Sequence, residues 1–141
     1  MQADLTEGAG SGLPASFFPG IPFFGTFKEL SEKRDYHCDD VPEALCVSNP
    51  VCGDVVGVQV CLEADRITEF RFRARGCWPV FGCLQWLGDH FVGKKGCEAL
   101  GFSLEDFIGV VEDVPAGKRH AFSLTHRVFR RAGAQAMMVP S

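Results

Sequence analysis

The sequence predicts an α+β fold, a small antiparallel sheet of about three strands packed against several helices. Three observations carry that expectation. Residues 55–62 and 66–75 each alternate apolar and polar side chains with a period of two, and Glu63-Ala64-Asp65 sits between them as a turn. Val80, Leu84, Leu87 and Phe91 recur at helical spacing. Ala121, Leu124, Val128 and Ala132 repeat that spacing nearer the C-terminus.

At 141 residues the chain is long enough for one domain with its own core. A formal charge of −4 argues against a protein that coats nucleic acid or an anionic membrane. The seven cysteines are an odd number scattered along the chain, a pattern of free thiols and metal ligands in a reducing compartment and not of a disulfide framework. Asp4 and Glu7 stand where a signal peptide would be basic, and Pro14, Pro19 and Pro22 interrupt any apolar run, so the expected location is cytoplasmic.

In chain order, residues 1–25 are rich in Gly, Pro, Ser and Ala and read as a flexible N-terminal arm. With Phe17, Phe18, Phe23 and Phe24 in it, the arm is expected to fold back and bury one aromatic pair on the domain, with a partner-docking segment as the alternative. Residues 26–135 form the domain, and 136–141 a C-terminal tail. Residues 26–34 favour a short helix. Tyr36-His37-Cys38-Asp39-Asp40 with Cys46 matches no compact zinc spacing and reads as a loop, and residues 43–47 offer a third strand.

In the hairpin, Val56, Val58, Val60 and Leu62 are expected on one face, with Thr68, Phe70, Phe72 and Ala74 joining them from the second strand. Arg71, Arg73 and Arg75 then form a solvated row, and Cys61 is a bystander beside them. Pro79 suits the first turn of a helix running to about residue 92, within which Cys83 is a packed thiol. Residues 93–96 break that helix, and 97–101 make a short turn. Ser103 caps a helix carrying Phe107, Ile108 and Val111, and after the loop 113–117 the last helix begins near Lys118. His120 falls in its first turn, while His126, beside Arg127, reads as solvated.

The chemistry centres on Asn49-Pro50-Val51-Cys52-Gly53-Asp54. Cys52 and Asp54 are two apart, so in an extended segment both lean to one side, and Gly53 between them has no Cβ to obstruct a ligand. A soft sulfur beside a hard oxygen is half of a plausible metal site. Gly76-Cys77 and Arg119-His120 can supply the rest. Cys77 precedes a helix N-terminus, where the positive end of the dipole is expected to lower a thiol pKa.

These motifs in this order closely resemble the IscU/NifU N-terminal type of iron-sulfur cluster assembly scaffold, over residues 49–131. The resemblance implies the fold above and no enzymatic activity. It implies that Cys52, Asp54, Cys77 and His120 hold a transient [2Fe-2S] cluster, or iron or zinc. It also implies a cysteine desulfurase as sulfur donor, a chaperone pair, and apo iron-sulfur proteins as acceptors, with the protein a monomer or weak dimer. Three departures stand out. The family's third cysteine, its usual sulfur acceptor, is here Ala121, which leaves Cys77 as the sulfur-acceptor candidate. The family's chaperone-recognition loop appears as Val114-Pro115-Ala116-Gly117-Lys118. Trp78, Pro79, Val80 and Phe81 replace the small residues that usually follow the second cysteine. A diverged zinc-binding or metal-free regulatory partner of the assembly machinery is the alternative, and a thiol enzyme with Cys77 as nucleophile and His120 as base ranks last.

Overall fold

The computed structural model describes residues 20–49 and 53–138. Its centre is a three-stranded antiparallel sheet formed by β2 (Cys46–Ser48), β3 (Val55–Glu63) and β4 (Arg66–Arg75), with β3 in the middle. A shorter parallel pair joins β1 (Ile21–Pro22) to β5 (Val111–Glu112). The helices are α1 (Lys28–Leu30), α2 (Trp78–Phe91), α3 (Gly96–Gly101), α4 (Leu104–Val110) and α5 (Arg119–Met138). The third strand expected over 43–47 begins at Cys46, because Glu43–Leu45 coils as a 3-10 turn after Pro42. The short helix expected over 26–34 is α1, entered through a wide turn at Phe23–Phe27.

The hairpin between β3 and β4 closes in two residues, Ala64 (φ +52°) and Asp65 (φ +69°), the handedness that matches the twist of the flanking strands. From that turn the pairs run Glu63 with Arg66 and Leu62 with Ile67, but the next is Cys61 with Glu69. Thr68 is thus the extra residue of a β-bulge, and its hydroxyl donates to the Cys61 carbonyl at 3.3 Å. This corrects one expectation. Thr68 is exposed, and Ile67, 1% exposed, takes its place on the dry face. The bulge brings the two apolar rows into line, Val58 opposite Phe72 and Val60 opposite Phe70, where an unbulged ladder would set valines against arginines.

Helices α2 and α5 cover the dry face of the sheet, and α3 and α4 pack on α5. Val80, Leu84, Leu87 and Phe91 on α2, and Ala121, Leu124, Val128 and Ala132 on α5, are all buried as their spacing requires. Cys83 is fully buried among them. Ser103 caps α4, its Oγ accepting from the Asp106 amide at 3.0 Å. Phe27 stacks on Phe122 at 5.4 Å and Phe107 meets Phe122 edge-on at 5.0 Å, so aromatic rings tie the N-terminal turn to α4 and α5. Residues 20–25, read from sequence as the end of the arm, carry β1 and bury Phe23 at 1% exposure, while Phe24 is 71% exposed. Phe17 and Phe18 lie outside the described residues.

His126 is a second correction, for it is buried. Its Nε2–H donates to the Phe102 carbonyl at 2.6 Å. On α2, His90 stacks on Trp86 at 4.7 Å, and burial pushes its pKa down to about 4, with Lys94 adding to the effect and Glu98 opposing it. Burial lowers the pKa of His126 as well; the Phe102 carbonyl opposes this and Arg130 adds to it. Both imidazoles are therefore neutral when folded and bind a proton more readily when unfolded. Their contribution to stability is complete above the unfolded pKa of ~6.5 and is lost as pH falls through the lowered folded values, about 4 for His90. The melting temperature of the metal-free protein is expected to drop between pH 7 and pH 5, and to drop less in His90→Phe. A melting temperature flat across that range would contradict the assignment.

Candidate metal centre

Three chain junctions converge at one end of the sheet. Asp54 stands immediately before β3, Cys77 caps α2 just after β4, and His120 lies in the first turn of α5 after the 3-10 turn Ala116–Lys118. The pairing of Val55 with Arg75 sets Asp54 across from Gly76 and Cys77, so the bulge at Thr68 also determines which residues meet at the site. Two backbone bonds join Asn49 to Gly53 and Asp54. The Gly53 amide donates to the Asn49 carbonyl at 2.7 Å, and the Asn49 amide donates to the Asp54 carbonyl at 2.8 Å. Gly53 itself has φ +76°, a conformation that suits glycine. Pro50, Val51 and Cys52 lie outside the described residues.

The described donors form a compact group. Asp54 Oδ2 is 3.5 Å from Cys77 Sγ and 3.3 Å from His120 Nε2, and Cys77 Sγ is 3.9 Å from His120 Nε2. Ligands bound at ~2.0–2.3 Å around a tetrahedral zinc ion stand about 3.3–3.8 Å apart. Two of the three separations fall within that range and the Cys77–His120 separation of 3.9 Å lies just above it, and sulfur, nitrogen and oxygen together suit zinc or iron. Of the four ligands expected from sequence, Asp54, Cys77 and His120 come together.

The expected acidity of Cys77 is reversed. Partial burial pushes its thiol pKa up, the Asp54 carboxylate raises it further by charge and by hydrogen bonding, and the Val80 amide and Lys118 lower it only in part. Without a cation the site favours the thiol over the thiolate, and a metal ion would reverse that balance. The effect of Lys118 was missed in sequence, although its place two residues before His120 pointed to it.

Around this group, Trp78 lies beside Cys77 and packs on Phe23 at 4.7 Å, with the Lys28 ammonium 5.3 Å from its ring centre. Val80 turns into the core, and Phe81 lies under the Arg34 guanidinium at 4.1 Å, so of that bulky quartet Trp78 is the one packed, tilted, against the N-terminal aromatic rings. The described cysteines Cys38, Cys46, Cys61, Cys77, Cys83 and Cys97 are all free. Ala121 is completely buried and supplies a methyl group to the core.

A layer of helices over one face of a three-stranded sheet, with a carboxylate, a thiol and an imidazole gathered where strand ends meet helix starts, defines a small α+β domain with a candidate metal site. The NifU-like N-terminal domain family model matches residues 31–137, and the chain belongs to that family. It is 34% identical over 70 residues to the iron-sulfur cluster assembly scaffold protein IscU of Streptococcus pyogenes serotype M1, a match covering 48% of this chain and 44% of that protein. It is 28% identical over 94 residues to iron-sulfur cluster assembly scaffold protein IscU 1 of Archaeoglobus fulgidus, covering 67% of this chain and 61% of that one. The chain thus matches about half the length of these curated relatives. Among solved structures, the N-terminal part of a NifU-like protein from Brucella abortus shares the fold with a TM-score of 0.63 at 13% identity, covering 84% of this chain and 96% of the other. No helix among the described residues is long and apolar enough to cross a membrane.

Proposed function

We propose that the protein is an iron-sulfur cluster assembly scaffold or carrier, which holds a transient [2Fe-2S] cluster on Cys52, Asp54, Cys77 and His120 and passes it to apo acceptor proteins. The observation that carries this reading is the near-tetrahedral spacing of the Asp54, Cys77 and His120 donor atoms, in a chain of the NifU-like family. Clusters are held most firmly by thiolates, so a ligand set that includes a carboxylate and an imidazole grips iron less tightly than four cysteines. That suits a protein whose cargo must leave. The same donors can hold a zinc ion in the isolated protein, and zinc there would neutralise the buried Asp54 and keep Cys77 deprotonated.

Cys77 is the proposed sulfur acceptor. Its thiolate attacks the outer sulfur of a donor's persulfide, a new S–S bond forms on Cys77, and the donor cysteine departs as a thiolate. His120 Nε2, 3.9 Å from Sγ, stands within reach of the thiol proton. A cysteine desulfurase is the proposed donor. The loop of Val114 to Lys118 leads directly into His120, so a chaperone pair gripping that loop would act on a ligand. No enzymatic turnover is proposed, and the location is taken to be cytoplasmic. The complete burial of Ala121 favours a second reading, a diverged zinc-binding or metal-free regulatory partner of the assembly machinery.

Anaerobic incubation with ferrous iron and sulfide separates the two. The scaffold reading expects iron and sulfide bound in equal amounts, visible charge-transfer absorption, and transfer of that absorption to an apo ferredoxin-type acceptor. Bound zinc with no uptake of iron or sulfide would favour the regulatory reading.

A further inference from the structure

We propose that Gly76 is a positioning residue for the metal centre, and that its missing side chain is what seats the Asp54 carboxylate in ligating orientation. The inference rests on the proposed ligand set and adds a residue that touches no metal.

Gly76 has φ +155°, in the region that disfavours side chains, and its contact with Asp54 sets it apart from other strained glycines. A Cβ built on Gly76 would fall 2.3 Å from Asp54 Oδ1, 2.7 Å from its Cγ and 3.0 Å from its Cβ. By contrast, Gly93 has φ +94° and nothing within 4 Å of its built Cβ. The Asp54 side chain is 4% exposed, so it cannot yield by swinging into water while staying in the site. The two carboxylate oxygens have separate tasks. Oδ1 accepts from the Cys77 backbone N–H at 3.3 Å, and Oδ2 faces Cys77 Sγ and His120 Nε2. The bare Cα of Gly76 lets Oδ1 reach that amide, which aims Oδ2 at the metal position. One oxygen is thereby tied to the backbone of a second ligand residue, and orientation of this kind is worth ~10–100-fold in metal affinity where such partners have been removed.

The test is a coupling experiment in the full chain. Zinc affinity, read by competition with a chromophoric chelator, is expected to fall ~10–100-fold in Gly76→Ala. It should fall at least as far in Asp54→Ala, which removes the ligand itself, and adding Gly76→Ala to that variant should cause no further loss, because both act on one carboxylate. Gly93→Ala, which imposes backbone strain without the contact, should bind zinc like the wild type. In the metal-free protein, amide hydrogen exchange at Cys77 should quicken in Gly76→Ala and in Asp54→Ala. Should Gly76→Ala alone fail to fold, the Asp54→Ala background, which removes the two nearest atoms, is expected to restore folding. Losses that multiply in the double variant, or wild-type zinc affinity in Gly76→Ala, would overturn the proposal while leaving the ligand set standing. Absence of zinc binding in the wild type would instead overturn the ligand set itself.

Discussion

His120→Ala is expected to weaken zinc binding by more than ~100-fold, beyond what loss of an outer-shell partner costs, while leaving the metal-free fold nearly as stable as before. His120 enters from the first turn of α5, with its side chain 30% exposed, and its close contacts are with Cys77 and Asp54. Removing the ring leaves a nearly buried carboxylate and a thiol to share any cation with Cys52, one donor short of a tetrahedron. His126 on the same helix is the control. It is buried against the Phe102 carbonyl, so His126→Ala should lower the melting temperature and leave zinc affinity nearly unchanged. Calorimetric or chelator titrations of the two variants distinguish a ligand from a core histidine. Equal zinc affinity in wild type and His120→Ala would remove His120 from the site.

Phe122→Ala is expected to give the largest loss of stability, about 3–5 kcal/mol, with a melting temperature lower by on the order of 10–20 °C. The ring is completely buried, stacked on Phe27 at 5.4 Å and edge-on to Phe107 at 5.0 Å, so its deletion opens a cavity where three segments meet. Phe27, Phe107 and Phe122 are all completely buried, and a close-packed interior collapses only in part around a missing ring. Phe122→Leu, which keeps most of the apolar volume, should recover more than half the loss. Thermal unfolding followed by circular dichroism reads both, and a drop of only a few degrees in Phe122→Ala would show that the site collapses freely.

The parts of this fold that were legible from residues alone are those with a period. The stripes of α2 and α5 and the alternation of β3 and β4 follow from burial on one face, and burial is what hydropathy records. The bulge at Thr68 was not legible, because it depends on the register of two strands at once: alternation within 66–75 alone placed Thr68 inside, and only pairing with Cys61 and Leu62 moves Ile67 there. His126 was misread for a related reason. Its neighbour Arg127 suggested water, but α5 is packed by the sheet, α2, α3 and α4 together, and its dry face is wider than one stripe. At the site, the residue types and motif order of Asp54, Cys77 and His120 were readable through resemblance. The acidity of Cys77 was not, since the dipole argument omitted the partial burial of the thiol and a carboxylate oxygen 3.5 Å from the sulfur. Nor was the contact between Gly76 and Asp54, which exists only because the ladder ends with Val55 opposite Arg75.

The central claim is that two thiols, a carboxylate and an imidazole from distant parts of the chain grip one metal ion. Zinc-edge X-ray absorption of the zinc-loaded protein tests it most directly. The account predicts a four-coordinate shell with two sulfur ligands near ~2.3 Å and two nitrogen or oxygen ligands near ~2.0–2.1 Å, with one sulfur lost in Cys77→Ser and one light ligand lost or replaced by solvent in His120→Ala. A shell made only of oxygen and nitrogen, unchanged in both variants, would contradict it.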